Sequence, residues 1–193
     1  MTSVVRVSLL LLAAAVLSAC AQTGQVVPLA PAADVAESRD GNDAEVAVRV
    51  IDQRQSAELG RLENRRSGDA GLTTDQELDQ VMAEAVAEAL RRKGFRSVPW
   101  RENATRSLTV QIKDLQHVVS SDVPRKVNTR VELGFEAVNG SRGLAGSARH
   151  GHADTVTHRP GAEENGAWIS DTLDAALRRM LSEQLLAFLA ASG

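Results

Sequence analysis

The side chains best suited to chemistry in the second half of the chain are three histidines and an aspartate. His150, His152, Asp154 and His158 follow one another at intervals of two or four residues. On a strand these positions share one face, and imidazole and carboxylate groups are ligands for zinc or copper. Positions four apart lie about 13 Å from each other, so only His150 and His152 could chelate one ion. We expect a polar row facing solvent, with a metal site at these two histidines as the alternative.

The only cysteine, Cys20, ends the most apolar run of the chain. The run is shorter than the roughly 20 apolar residues that span a bilayer, and its length fits a secretory signal. The letters LSAC, which end in Ala19 and Cys20, resemble the bacterial lipobox. That resemblance implies cleavage between these two residues and a thioether between the Cys20 thiol and a diacylglycerol. No cofactor is expected beyond this diacylglycerol and an acyl chain on Cys20.

The position of this motif predicts the domain organisation. Residues 1–19 are expected to be a lipoprotein signal peptide. Residues 20–43 mix Ala, Pro, Gly and Asp without helical or strand period and are expected to form a lipidated N-terminus and flexible tether. Residues 44–190 are long enough for one periplasmic domain with its own core. Ala21 stands where an aspartate often signals inner-membrane retention, so we expect the periplasmic face of the outer membrane.

Charge and composition exclude several classes of function. Without residues 1–19, in which Arg6 is the only charged side chain, the 22 basic residues become 21 against 25 acidic ones, and the net charge is −4. A nucleic-acid partner requires a basic face, so none is expected. No nucleophile elbow, P-loop or dinucleotide fingerprint is present, and we expect no enzymatic activity.

Hydrophobic periodicity predicts the elements that position these residues. The letters TDQE at Thr74–Glu77 form a capping-box signature, and Gly94 after RRK predicts a left-handed helix end. Asn139-Gly140 predicts a hairpin turn. The predicted elements are a strand in AEVAVRVID, a helix ending at RRKG, strands in SLTVQIKDL, KVNTRVELGFEAV and GLAGSARHGHADTVTH, and a helix in AWISDTLDAALRRMLSEQLLAFLA that could break near Ser182. This order predicts an α+β fold, a mostly antiparallel sheet with two amphipathic helices packed on one face.

The order of these pieces resembles the YajG-type lipoproteins of Gram-negative bacteria. The matching parts are LSAC, VRVIDQR with the following Leu59-Gly60, RRKGF, SLTVQIKDL, the Asn139-Gly140 hairpin and the helix that runs to AFLA. The resemblance implies an envelope lipoprotein without established catalysis or cofactor. It transfers one functional position, the acylated Cys20.

Three hypotheses for function follow. The first is a membrane-tethered binding or scaffold accessory that holds an envelope protein near the outer membrane. The second is a carrier of a lipid or other apolar ligand in a cleft between sheet and helices, lined by Trp100, Trp168 or Phe95, although these aromatics equally fit core or loop anchors. The third is a hydrolase of envelope material, to which no residue points.

Overall fold

The computed structural model describes residues 24–192, in which one curled sheet carries three helices. The predicted signal peptide and the predicted cleavage and acylation site at Ala19 and Cys20 lie outside the described residues. The elements are β1 (Gln25–Val26), β2 (Glu45–Asp52), β3 (Gly60–Leu62), β4 (Ala70–Thr73), α1 (Leu78–Arg92), β5 (Arg96–Pro99), β6 (Arg106–Val119), β7 (Arg125–Asn139), β8 (Arg142–Val156), α2 (Ala162–Met180) and α3 (Glu183–Ala190).

The sheet is organised around the long strand β6. One edge of β6 pairs with β7 along its whole length, and β8 continues the sheet beyond β7. The other edge pairs first with β2 and then, towards the end of β6, with β3. Strand β5 lies beyond β2, whereas β4 and β1 lie beyond β3. Two groups of strands therefore share this edge of β6, namely β2 with β5 and β3 with β4 and β1. They diverge at the middle of β6, where the sheet curls.

The predicted mostly antiparallel sheet with two helices is wrong. Within residues 24–192, four of the seven strand pairings are parallel, and three helices cover the sheet. In the described part of the chain, the neighbours that pair antiparallel are β6 with β7, β7 with β8 and β3 with β4. Helix α1 instead connects β4 to β5, which returns parallel to β2, and parallel neighbours require such long connections.

A bulge in β6 keeps its apolar residues facing the helices. Leu108, Val110 and Ile112 are fully buried and alternate along the first half of the strand. The register then shifts between Ile112 and Asp114, after which the buried alternation moves to odd positions and includes Leu115. One extra residue in a strand reverses the face of every later side chain, and here it preserves one continuous core.

The predicted helix ends agree with the structure, but two predicted starts do not. Helix α2 begins at Ala162, before the predicted stretch that opens at Ala167. Gly94 adopts φ +80°, as its position after α1 predicts, and Ser182 separates α2 from α3, with its hydroxyl accepting from the N–H of Leu185. The prediction of a capping box at Thr74 is wrong, because α1 begins later, at Leu78. Its N-cap residue is Glu77, whose side chain makes no capping hydrogen bond. The Thr74 hydroxyl instead accepts from the N–H of Gln76 in the preceding turn.

Residues 24–43, which fall within the segment predicted to be a tether, lie against the domain. Val27, Leu29 and Val35 from this segment are buried in the core. The Gln76 side chain accepts from the Leu29 N–H at 2.6 Å and donates back to its carbonyl at 3.1 Å. Gly166 of α2 meets the segment closely, since a Cβ there would lie 2.2 Å from the carbonyl oxygen of Pro28. Both apolar burial and main-chain hydrogen bonds therefore hold this segment.

Candidate functional site

An open groove of about 590 Å³ lies between β8 and α2. Residues from the N-terminal segment and the end of α1 close one side of it. Its lining is mainly charged and polar, and comprises Ala32, Asp34, Arg92, His150, His152, Trp168, Asp171, Thr172, Asp174, Ala175 and Arg178. Such a lining suits polar or hydrogen-bonding groups better than a hydrocarbon chain.

Asp154 and His158 of the predicted row do not line this groove, whereas the structure brings His150 and His152 into it. Both stand on the face of β8 that faces α2, opposite Val131 and Thr129 of β7. His158 lies beyond the end of β8, where its Nε2 is 2.8 Å from a carboxylate oxygen of Glu164. Among residues 24–192, no three His, Cys, Asp or Glu side chains converge as metal ligands.

The surroundings of His150 favour its neutral imidazole. Desolvation is the main cause that lowers its pKa, and the nearby Arg179, Arg178 and His152 lower it further. Its Nδ1 is buried without a hydrogen-bond partner among the described residues. A neutral imidazole could hydrogen-bond a ligand here, but the two guanidinium groups disfavour a bound cation.

A second histidine, His117, lies in a buried hydrogen-bond chain that the sequence did not reveal. Its Nδ1 is 2.8 Å from the Thr129 hydroxyl, and its Nε2 is 3.0 Å from Oδ1 of Asn165 on α2. The Asn165 amide in turn donates to Oε1 of Gln25 at 2.8 Å. Burial lowers the pKa of His117, opposed by the bond to Asn165. The chain therefore joins the sheet, α2 and the N-terminal segment through one neutral imidazole.

The three aromatic residues considered for an apolar cleft lie in different surroundings. Phe95 is buried in the core, and a Cβ on Gly41 would lie 2.5 Å from its ring. The Trp100 ring lies 3.9 Å from the guanidinium carbon of Arg49, in a cation–π contact. Trp168 lines the groove and stacks on His117 at 6.2 Å between ring centroids. Only Trp168 therefore contributes to the groove.

Strand β8 presents a free edge of 15 residues, because among the described residues it pairs with β7 alone. The two-residue hairpin places Arg142 opposite Asn139, so even-numbered residues of β8 direct their main-chain groups to β7. Odd-numbered residues, such as Ser147, direct theirs outwards. The carbonyl of Arg149 fits this alternation, since it accepts from the Arg179 side chain at 3.1 Å. A long unpaired edge of this kind can pair with another strand.

The fold and the sequence together define a mixed-sheet domain behind a lipobox-like N-terminus. None of the three helices in residues 24–192 has the length and apolar character that a bilayer crossing requires. The chain belongs to Lipoprotein_16, a family of uncharacterized lipoproteins whose family model matches residues 31–190. The resemblance to YajG-type lipoproteins is thereby confirmed. No curated protein matches the sequence.

Solved structures share the fold at low sequence identity. Protein XCC0632 from Xanthomonas campestris, of the family DUF330, is 11% identical with a TM-score of 0.54, over 86% of this chain and 96% of that one. The PelC dodecamer from Paraburkholderia phytofirmans is 17% identical with a TM-score of 0.39, over 86% and 95% of the two chains. The first similarity shows the fold alone, and the second is too distant to support an argument.

Proposed function

We propose that this lipoprotein is anchored through acylated Cys20 to the periplasmic face of the outer membrane. There it acts as a non-enzymatic binding or scaffold module for another envelope protein. The family, the LSAC motif and Ala21 support the anchoring. The diacylglycerol is joined to the sulfur as a thioether, and the acyl chain is joined to the α-amino group that cleavage frees. Several chains hold far more firmly than one, because each buried methylene contributes about 0.8 kcal/mol.

The observation that carries the binding role is the free edge of β8. Its outward N–H and C=O groups recognise an extended main chain rather than a particular side chain, which is how strand addition binds peptides. Most of its residues are exposed, and each exposed residue is polar, glycine or alanine, so the unoccupied edge presents no large apolar side chain to solvent. The occupant we propose is an extended segment of a partner protein in the envelope, added beside β8 and next to the groove.

The matched variants for this proposal are Ser147→Pro and Ser147→Ala. Proline removes the outward N–H and blocks an added strand, yet leaves the pairing of β8 with β7 in place. Alanine removes only the hydroxyl. A photoreactive residue at Ala153 in the full acylated chain, activated in intact envelopes, reports contact with the partner.

We expect one reproducible crosslinked protein with the unaltered edge and with Ser147→Ala, and its loss with Ser147→Pro. Circular dichroism of each variant checks that the fold is retained. The same crosslink in all three proteins would show that the edge is not the binding surface. Its absence from the unaltered edge would contradict the scaffold role itself.

A further inference from the structure

The chain enters the domain at one defined end of the sheet. Strand β1 pairs with β4 and follows Gly24, and the Gln25 amide donates to the carbonyl of Pro160 at 3.2 Å. The pairing registers place three connections at this same end, namely residues 63–69, 120–124 and 157–161. The hairpin at Asn139–Arg142 lies at the opposite end of β7.

Very little chain separates this end from the proposed anchor. Three residues lie between Cys20 and Gly24, and four Cα-to-Cα steps span at most about 14 Å. If Cys20 is acylated as proposed above, the end of the domain at Gly24 must lie within that distance of the membrane surface. This inference therefore rests on the proposed lipid attachment.

Four arginines lie together at this end. Arg65, Arg66, Arg125 and Arg159 line a cavity of about 220 Å³ between the three connections, and Glu63 is the one acidic residue in its lining. Arg65 pairs with Asp122, and Arg125 donates to the carbonyl of Ser120 at 2.9 Å. Arg66 and Arg159 form no ion pair with other residues in the range 24–192, and both are exposed. Guanidinium groups bind phosphate oxygens through paired hydrogen bonds.

An exposed apolar side chain accompanies these arginines. Val123, at the tip of the connection between β6 and β7, is 78% exposed, the highest value among the large hydrophobic residues described. Val26, beside the chain entry, is 58% exposed. An apolar tip beside cationic groups is the arrangement that interfacial membrane contacts use.

We propose that this end, defined by Arg65, Arg66, Val123, Arg125 and Arg159, lies directly on the phospholipid headgroups. The guanidinium groups bind lipid phosphates, and Val123 enters the interface. The rest of the chain, which is acidic overall, is directed away from the lipid headgroups. The Asn139–Arg142 hairpin lies at the far end of β7, about 45 Å along the strand from the membrane-facing end. The domain is therefore held in one orientation rather than suspended on a long tether.

The orientation can be measured with a fluorophore on one introduced thiol in the full acylated chain. Because lipid occupies Cys20, the thiols of Val123→Cys and Ser141→Cys are the only ones free to react. Each protein is placed in vesicles of phosphatidylethanolamine and phosphatidylglycerol that contain a headgroup spin-label quencher. We expect Val123→Cys to lose most of its fluorescence and Ser141→Cys to keep it.

The double substitution Arg66→Gln with Arg159→Gln tests the contact between these guanidinium groups and lipid phosphates. We expect the headgroup-facing population to fall about fivefold for each arginine removed, with recovery of the Val123→Cys fluorescence. Arg39→Gln with Arg142→Gln, which removes the same charge at the far end, should leave the quenching unchanged. Equal quenching at both probes, or equal quenching in both double variants, would overturn the proposed orientation while acylation stands. Protein recovered without acyl chains would instead contradict the anchoring itself.

Discussion

Oδ1 of Asp174, on helix α2, accepts a hydrogen bond from the main-chain N–H of Ala33 at 2.8 Å, and both residues are buried. The other carboxylate oxygen accepts from the N–H of Ala32 at 2.7 Å. One acidic side chain thus satisfies two consecutive N–H groups in a segment that has no strand partner at that point. The relationship explains how a stretch without helical or strand period becomes part of the domain.

Asp174→Ala should therefore destabilise the protein by about 2–4 kcal/mol, because it leaves two N–H groups without their charged acceptor. Urea unfolding of the full chain measures the change. Asp171→Ala is the matched control, since Asp171 is exposed one turn earlier on the same helix. It should change the free energy of unfolding by no more than about 0.5 kcal/mol. Equal effects of the two substitutions would show that the Asp174 contacts add nothing.

Gly166 provides a second test of how the N-terminal segment is seated. In a helix, alanine is normally more stable than glycine by about 1 kcal/mol. At Gly166 we expect the reverse, a loss of about 1–3 kcal/mol in Gly166→Ala, because the added Cβ would meet the carbonyl of Pro28.

The neighbouring exposed Ala167 gives the control for ordinary helix propensity. Thermal unfolding measures both substitutions, and Ala167→Gly should lose about 1 kcal/mol. If Gly166→Ala proved more stable than the unaltered protein, Pro28 could not lie where the structure places it.

The buried His117 predicts a loss of stability in acid. Its pKa is lowered in the folded state by burial, so the unfolded chain binds a proton first as the pH falls. The contribution of this residue is complete above the unfolded pKa of about 6.5 and is lost progressively below it, by at most about 1.4 kcal/mol per pH unit.

Urea unfolding at pH 7.5 and 5.5 should show a smaller pH dependence in His117→Gln than in the unaltered protein. Glutamine keeps a donor for Asn165 but does not titrate. An NMR titration of the His117 ring should show a neutral imidazole below pH 6.5. The same pH dependence in both proteins would mean that this imidazole is not shielded from protonation.

Local elements were readable from the sequence, but their arrangement was not. Alternating valines in β2, the glycine after α1 and the Asn139-Gly140 turn each depend on neighbours in the chain, and the structure has them as predicted. The parallel pairing of β2 with β6 joins residues about 60 positions apart, and nothing local in either strand encodes it.

The same limit applied to the candidate site. His150 and His152 were identified because alternate residues share a strand face, and they do line the groove. His117 was missed because a histidine among valines gives no sign of its partners, Thr129 and Asn165. The N-terminal segment is held in place by the hydrogen bond from the Ala33 N–H to Asp174, and these two residues lie 141 positions apart in the chain.

The groove histidines lead to a prediction about zinc. We expect calorimetric titration of zinc into the protein to give no heat above dilution, because two imidazoles beside Arg178 and Arg179 offer too few ligands and an unfavourable charge. Heat at one ion per chain that disappears in His150→Ala and His152→Ala would instead reinstate the metal site.

The central claim is that lipid on Cys20 holds this domain at a membrane, and metabolic labelling with an alkyne fatty acid tests it most directly. Labelled protein should fractionate with the outer membrane, and Cys20→Ser should carry no label and be released from membranes. Wild-type protein with a free Cys20 thiol in the water-soluble fraction would contradict the account.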